Sequence, residues 1–402
     1  MVNGEIEFIE EEDASLEAKE TKQFSDAVLH ATDWTVETIV SQLTRRNIEM
    51  NPRFQRRDAW NNRRKSSFIE SLILGLPVPQ IVLAEKKGQR GKYIVLDGKQ
   101  RLLSLLQFTG NAAEGPKNGF KLSGLEARTD LARKSYAQLR DAAFENDLNA
   151  FLNYTIRTVV IRNWPSYDFL HLVFLRLNTG SVKLSPQELR QAMFPGEFSN
   201  VVDDAAGDSV PLRSLLGING PDARMRDVEL LVRFLAFHFD IAKYPGRMKD
   251  FLDNACERLN DDWANMQEPV VAAITKFNAG AEALIATLGG DAVARKQNSR
   301  SFNRAIFDAL IFYAADDQIR AAILQKPEAV RAAYEEISAD PDFLLASESD
   351  TAGVPNTLAR LKLWGERLRA ALGLNFRVPT LREHQQVQDA ARMGIDFNGF
   401  WA

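Results

Sequence analysis

Cysteine and histidine are scarce: the chain holds one of the former, Cys256, and four of the latter among 402 residues. A single thiol leaves nothing to close an internal disulfide and excludes a zinc site built on several cysteines. It lies in a charged helical stretch with no activating group nearby in sequence. The histidines (His30, His171, His238, His384) are scattered, and none falls in H-E-x-x-H or a comparable metal-ligand cluster. His171 and His238 sit inside apolar helical patterns and read as packed or surface residues. G-x-x-x-x-G-K-[ST] is missing, which excludes a Walker-type P-loop, and so is the G-x-S-x-G elbow of a serine hydrolase. No apolar run approaches the roughly 20 residues of a membrane helix. The opening Met1-Val-Asn-Gly-Glu has neither a basic nor an apolar leader segment, so no signal peptide is expected. A soluble, cytoplasmic protein without a membrane partner is the expectation.

What is present is ordinary in amount and uneven in placement. A 26% charged, 45% hydrophobic chain of this length has ample material for a core and about two domains. Its net charge of −4 argues against a surface coated for bulk DNA binding, though not against a local basic patch. Residues 1–20 carry eight acids and the single base Lys19, which reads as a solvated tail, with an inhibitory or DNA-mimicking arm as the alternative. Residues 45–65 reverse the sign, with eight bases against Glu49 and Asp58.

From about 33 to 110 the signals alternate. Asp33 or Thr35 can cap a helix carrying Val36, Ile39, Val40 and Leu43. Phe68, Ile69, Leu72, Ile73 and Leu76 recur at helical spacing, and Gly75 marks the stop. Pro77 and Pro79 lead into a strand at 81–83; a second strand spans 93–96, followed by Asp97-Gly98 and a helix. Residues 111–150 are mixed and polar, as an insertion or lid would be, and 154–160 reads as a further strand. Helices are expected over 166–177 and from Ser185, where Ser185, Pro186 and Glu188 form a capping box. Beyond about 200 helical periodicity dominates, over 227–239, 248–259, 270–288, 302–313, 329–337 and 358–372. The expected organisation is a tail (1–32), a small α/β domain (33–200) and a helical domain (201–402).

Three segments could carry chemistry. The strand–Asp97-Gly98-Lys99-Gln100-Arg101–helix junction offers a helix N-terminus to an anion, with Gly98 allowing close approach. Its bland alternative makes Asp97 an N-cap and pairs Arg101 with a nearby carboxylate. In the stretch from Asn51 to Trp60, arginines interleave with aromatics, as in a phosphate clamp or base-stacking surface; a solvated loop anchored by Phe54 and Trp60 is the alternative. In 174–190, Asn178 with Gly180 is an ordinary helix exit and the capping box accounts for Glu188, leaving Arg176 and Arg190 unexplained.

Taken in order, Asn51-Pro52-Arg53-Phe54-Gln55-Arg56, Trp60, the run from Phe68 to Pro79, and Val95-Leu96-Asp97-Gly98-Lys99-Gln100-Arg101 resemble the ParB/sulfiredoxin-like domain family with the D-G-Q-Q-R signature. This is the N-terminal domain of GmrSD-type modification-dependent restriction enzymes and related phage-defence proteins. Phe174 to Asn178, Glu188-Leu189-Arg190, Arg226 to Leu230 and Tyr244 to Leu252 continue the resemblance. It implies an α+β fold: a small mixed-sheet ParB-like domain followed by an α-helical domain. It also implies an NTP-binding, NTP-hydrolysing sensor or regulatory subunit of a phage-defence or restriction system. The alternative is a DNA- or protein-binding module whose pocket is a switch or a vestige. On this resemblance Asp97, Gln100 and Arg101 would be catalytic, with Asp97 also at Mg²⁺, and Gln55, Arg56, Gly98, Lys99, Arg176 and Asn178 would line the nucleotide. Arg53, Arg57, Arg63, Arg64 and Lys65 are the expected nucleic-acid contacts. The expected cofactors are an NTP and Mg²⁺; the expected partners are DNA and a separate nuclease or other effector, with self-association left open. Lys99 departs from the signature glutamine and adds a cation. His384 is the one histidine in the last 160 residues, too few for an in-chain HNH nuclease. The signature loop has no cysteine, which rejects sulfiredoxin chemistry.

Overall fold

The computed structural model describes residues 28–48, 60–111, 119–166, 169–170, 173, 185–295, 301–382 and 394–401. Contacts divide the chain into two compact units: one runs to Met193 and includes Ala223–Met225, the other comprises Phe194–Asp222 and Arg226–Ala402.

The N-terminal unit is built on a four-stranded mixed sheet. Its strands are β1 (Val28–Thr35), β2 (Ile81–Glu85), β3 (Tyr93–Asp97) and β4 (Thr155–Arg162), in the order β1-β4-β2-β3. β4 pairs antiparallel with β1 and parallel with β2, and β2 pairs antiparallel with β3. Four helices pack together and cover the sheet: α1 (Val36–Thr44), α2 (Asn62–Ile73), α3 (Lys99–Phe108) and, after the one-turn α4 (Tyr136–Leu139), α5 (Glu145–Asn153). Thr35, one of the two expected caps, accepts from the Thr38 amide at 3.1 Å, and Val36, Ile39 and Leu43 turn inward one helical turn apart. Asn61 caps α2. Along β2 and β3 the side chains divide by parity. Ile81, Leu83, Tyr93 and Val95 join the helical core, while Val82, Ala84, Ile94 and Leu96 are buried without belonging to it.

Two sequence expectations change. Residues 28–32, read as the end of a tail, are the first part of β1, an edge strand whose Val28 and Leu29 are exposed. The described part of 111–150 is no detached lid: Leu122, Leu125, Leu131 and Leu139 are core residues. The carboxylate of Glu70 on α2 holds this segment by accepting the amides of Glu126, Ala127 and Arg128 at 3.3, 2.9 and 2.7 Å. The expected tail over 1–27 and most of the expected helix over 166–177 fall outside the described residues. A short helix, α6 (Pro186–Met193), completes the unit and packs against β3.

The second unit is helical, as the periodicity implies. It contains α7 (Glu197–Asp208), α8 (Val210–Leu216), α9 (Arg226–Asp240), α10 (Met248–Asp261), α11 (Trp263–Leu288), α12 (Arg304–Ala314), α13 (Asp317–Gln325), α14 (Pro327–Ile337), α15 (Pro341–Glu348) and α16 (Val354–Leu372), plus the short pair β5 (Thr380–Leu381) and β6 (Ile395–Asp396). By length and composition α11 alone among the described helices could cross a membrane, yet half of its most apolar stretch is buried against its neighbours in the bundle. Cys256 is buried in α10. A charged cluster lies inside this unit. The fully buried Arg233 of α9 donates from Nε to both oxygens of Asp308 on α12 at 3.1 Å and from Nη2 at 2.5 Å, and Glu229 stands 3.9 Å from its Nη1.

Candidate functional site

The junction of β3 and α3 gathers several candidate residues into one buried polar cluster. The register of β2 against β3 shifts between Val82 and Leu83, so Asp97 stands opposite Val82 while Val95 stands opposite Leu83. The chain then turns through Gly98 at φ +96°, a left-handed conformation open to glycine, and enters α3 directly. No side chain caps α3. A helix that starts at glycine gets no capping oxygen from its N-cap residue, and the positive end of a helix dipole is a place that can receive phosphate and other anions.

Asp97 is not the N-cap that the bland reading made it, but Arg101 does pair with a carboxylate, and the carboxylate is that of Asp97. Oδ2 accepts from Arg101 Nη2 at 2.9 Å, while Oδ1 accepts the Gly98 amide at 2.7 Å. The same Nη2 reaches the Gln80 carbonyl at 2.9 Å, so one guanidinium ties the start of α3 to the end of β3 and the approach to β2. Arg101 is 5% exposed. Its Nε and the Oε1 of Gln100 are buried atoms with no hydrogen-bond partner among the described residues. Native proteins seldom leave such atoms unsatisfied, because each costs about 1–3 kcal/mol. A donor and an acceptor on adjacent residues, beside an uncapped helix start, suit a polar ligand.

Lys99 is differently employed. Its Nζ donates to Glu188 Oε1 on α6 at 2.5 Å, with both side chains almost wholly buried. The capping box at Ser185 is also present: Glu188 Oε2 accepts the Ser185 amide at 2.7 Å, and Ser185 Oγ accepts the Glu188 amide at 3.1 Å. Glu188 thus does more than the capping box requires of it. Arg190 is buried and donates to Gln187 Oε1 at 2.6 Å; Gln187 and Gln191 are buried too. Nothing in the hydropathy of Pro186 to Met193 marks these polar residues as interior. Only their neighbourhood, with a lysine and β3 close by, makes burial tolerable.

Among the expected nucleic-acid contacts, Arg63 and Arg64 are exposed in the first turn of α2. Arg63 lies 3.7 Å from Glu126, and Arg64 lies over the Trp60 ring at 4.9 Å. Lys65 follows, half-buried. Trp60 itself packs edge-on to Phe68, as an anchor would. Arg53, Gln55, Arg56, Arg57, Arg176 and Asn178 lie outside the described residues, as do His171 and His384. Among the described residues no three His, Cys, Asp or Glu side chains group as a metal would require. Asp97 and Glu188 are each already paired with a cation.

Gly98 gives a direct test of the junction. A Cβ there would sit 3.0 Å from Ile81 Cγ1 and 3.4 Å from Arg101 Nε, on backbone of left-handed φ. Gly98→Ala is expected to cost about 1–3 kcal/mol through strain at this turn. Gly91→Ala also has positive φ but nothing near its Cβ, so it should cost less. Denaturant unfolding of the two variants compares them, and equal losses would show that the crowding at Gly98 does not matter.

These features describe a mixed-sheet domain with a buried polar junction at the start of a helix. Residues 36–195 match the family model of the GmrSD restriction endonuclease N-terminal domain. The match covers 160 of the 402 residues, relates this part of the chain to restriction systems and takes in the whole junction from Gln80 to Arg190. It stops short of the segments at 226–230 and 244–252 that also carried the sequence resemblance. No curated protein and no solved structure matches the chain.

Proposed function

We propose that this protein is an NTP-binding and NTP-hydrolysing sensor or regulatory subunit of a modification-dependent restriction or phage-defence system, acting on DNA with a separate effector. The observation that carries the reading is the pair of unsatisfied buried atoms, Gln100 Oε1 and Arg101 Nε, at the uncapped start of α3, inside the segment that matches the restriction-enzyme domain. In this reading the α3 amides and Arg101 bind phosphate oxygens, and Gln100 orients water for attack on the terminal phosphate. Lys99 contributes less than its charge suggests, because Glu188 compensates it. Mg²⁺ would enter on the nucleotide's own phosphates, with Asp97, whose Oδ2 also meets Arg101, as the carboxylate that would ligate it.

Phosphate release from ATP, GTP, CTP and UTP with Mg²⁺, with and without DNA, tests this. Turnover should be selective for one nucleotide and fall about a hundredfold in Gln100→Ala. That substitution breaks no ion pair and should leave the fold intact. Unchanged turnover in Gln100→Ala would remove the glutamine from its role.

A second reading has an observation of its own. The charges of Asp97, Lys99, Arg101 and Glu188 are paired within the protein, as expected of a structural or vestigial pocket in a DNA- or protein-binding module. No turnover with any nucleotide, together with salt-dependent DNA binding weakened by Arg63→Ala and Arg64→Ala, would favour it.

A further inference from the structure

The helical unit contains a cavity of about 310 Å³ that plays no part in the proposed function. It lies where α9, α11, the end of α12 and residues 397–400 converge. Two aromatic surfaces line it. His238 lies flat on Phe234, ring centres 5.4 Å apart and 25° from parallel. Phe312 packs against Phe397 and Phe400 at 5.1 and 5.2 Å. Polar residues stand among them: Asp316, Asn398 and Lys276, whose Nζ lies 3.7 Å from Asp317 Oδ2. Asp316 is held firmly, since it caps α13 through the amides of Gln318 and Ile319 and accepts Trp401 Nε1 at 3.2 Å.

We infer that this cavity binds one planar heteroaromatic ring of the nucleobase class, stacked on its aromatic walls and hydrogen-bonded at its edge by Lys276, Asp316, His238 and Asn398. The volume is at the low end of the roughly 300–1,000 Å³ that ligand sites span, room for one or two fused rings. The near-parallel Phe234–His238 pair favours a flat ligand, and stacking of a base on such a surface contributes about 1–3 kcal/mol. An alkyl chain would bury Lys276, Asp316 and Asn398 against hydrocarbon, at a cost that its own burial does not offset. A quaternary ammonium would suit the rings but meet the charge of Lys276. A bare phosphate would meet Asp316 and phenylalanines. A base edge, carrying both donors and acceptors, satisfies the whole set. His238 is solvent-exposed, but desolvation by the groups packed around its ring, and then the nearby Lys276 charge, lower its basicity, so at neutral pH its imidazole offers one donor and one acceptor.

Isothermal titration of the full-length protein with adenosine, guanosine, cytidine and uridine, none of which carries a phosphate, tests the inference. Saturable binding of at least one nucleoside is expected, weakened on the order of tenfold by His238→Leu or by Lys276→Gln. Both substitutions are at accessible positions, so the fold should survive them, and circular dichroism checks that it does. Gln100→Ala should leave nucleoside binding unchanged, which separates this cavity from the α3 junction. No nucleoside binding at millimolar concentrations would overturn the inference. So would binding lost in Gln100→Ala but kept in His238→Leu, or choline binding in place of every nucleoside.

Discussion

Glu188→Ala is expected to destabilise the N-terminal unit by about 3–5 kcal/mol, because it removes the carboxylate facing a buried ammonium. Lys99 and Glu188 are 6% and 4% exposed, so water cannot take over the role of the missing partner. The same substitution removes the reciprocal capping bond to the Ser185 amide. Calorimetry of the full-length protein should show the transition of this unit falling by about 6–20 °C, given 2–4 °C per kcal/mol for a domain of this size. The companion variant identifies the cause. Lys99→Met with Glu188→Gln removes both charges while keeping an oxygen for the cap, and replacing a buried pair by neutral groups is often nearly neutral. Recovery of most of the loss in the double variant is expected. If it is as unstable as Glu188→Ala, the cap and not the ion pair carries the effect. Nucleotide assays on the double variant then show whether Lys99 has any part in binding.

The second large effect belongs to the helical unit. Asp308→Ala takes the carboxylate from the fully buried Arg233, whose guanidinium cannot lose its charge. The expected cost is again about 3–5 kcal/mol. Glu229, 3.9 Å from Arg233 and 3.4 Å from Arg304 Nε, is the remaining acid of this cluster and should hold the loss near the lower end. Urea unfolding should record it. Arg233→Met with Asp308→Leu, which fills the space with hydrocarbon, should recover stability; failure to do so would mean that the cluster specifies the packing of α9 on α12 beyond its charges.

Much of this architecture is legible in the pattern of residues. Val36, Ile39 and Leu43 define α1 by spacing alone, Pro77 and Pro79 announce β2, and Asp97-Gly98 marks the passage from β3 into α3. Five of the six long periodic stretches beyond 200 lie within helices, and the sixth, 302–313, begins two residues before α12 does. β1 was not legible, and the reason is physical. It is an edge strand with little burial, so its residues were under no pressure to alternate, and it exists because its backbone finds partners on β4. The segment 111–150 read as polar because its apolar residues are widely spaced, yet Leu122 and Leu131 reach the core from short turns whose period no helical or strand template captures.

For the junction itself, the order of residues along the chain determines that a strand ends at Asp97, that Gly98 turns it and that a helix begins at Lys99, because these are consequences of local backbone preference. Which charges remain available there is another matter. Lys99 and Glu188 are 89 positions apart, and Glu188 already has a complete local explanation in its capping box, so nothing along the chain forecasts their ion pair. Arg101 could equally have turned toward a ligand; β2 brings the Gln80 carbonyl to it and so holds it against Asp97. Residues from four separate stretches of the helical half likewise converge on one cavity only when the bundle closes. Local preference extends over a few residues, whereas charge compensation and enclosure depend on distances through space, and those are established by the packing of the folded chain alone.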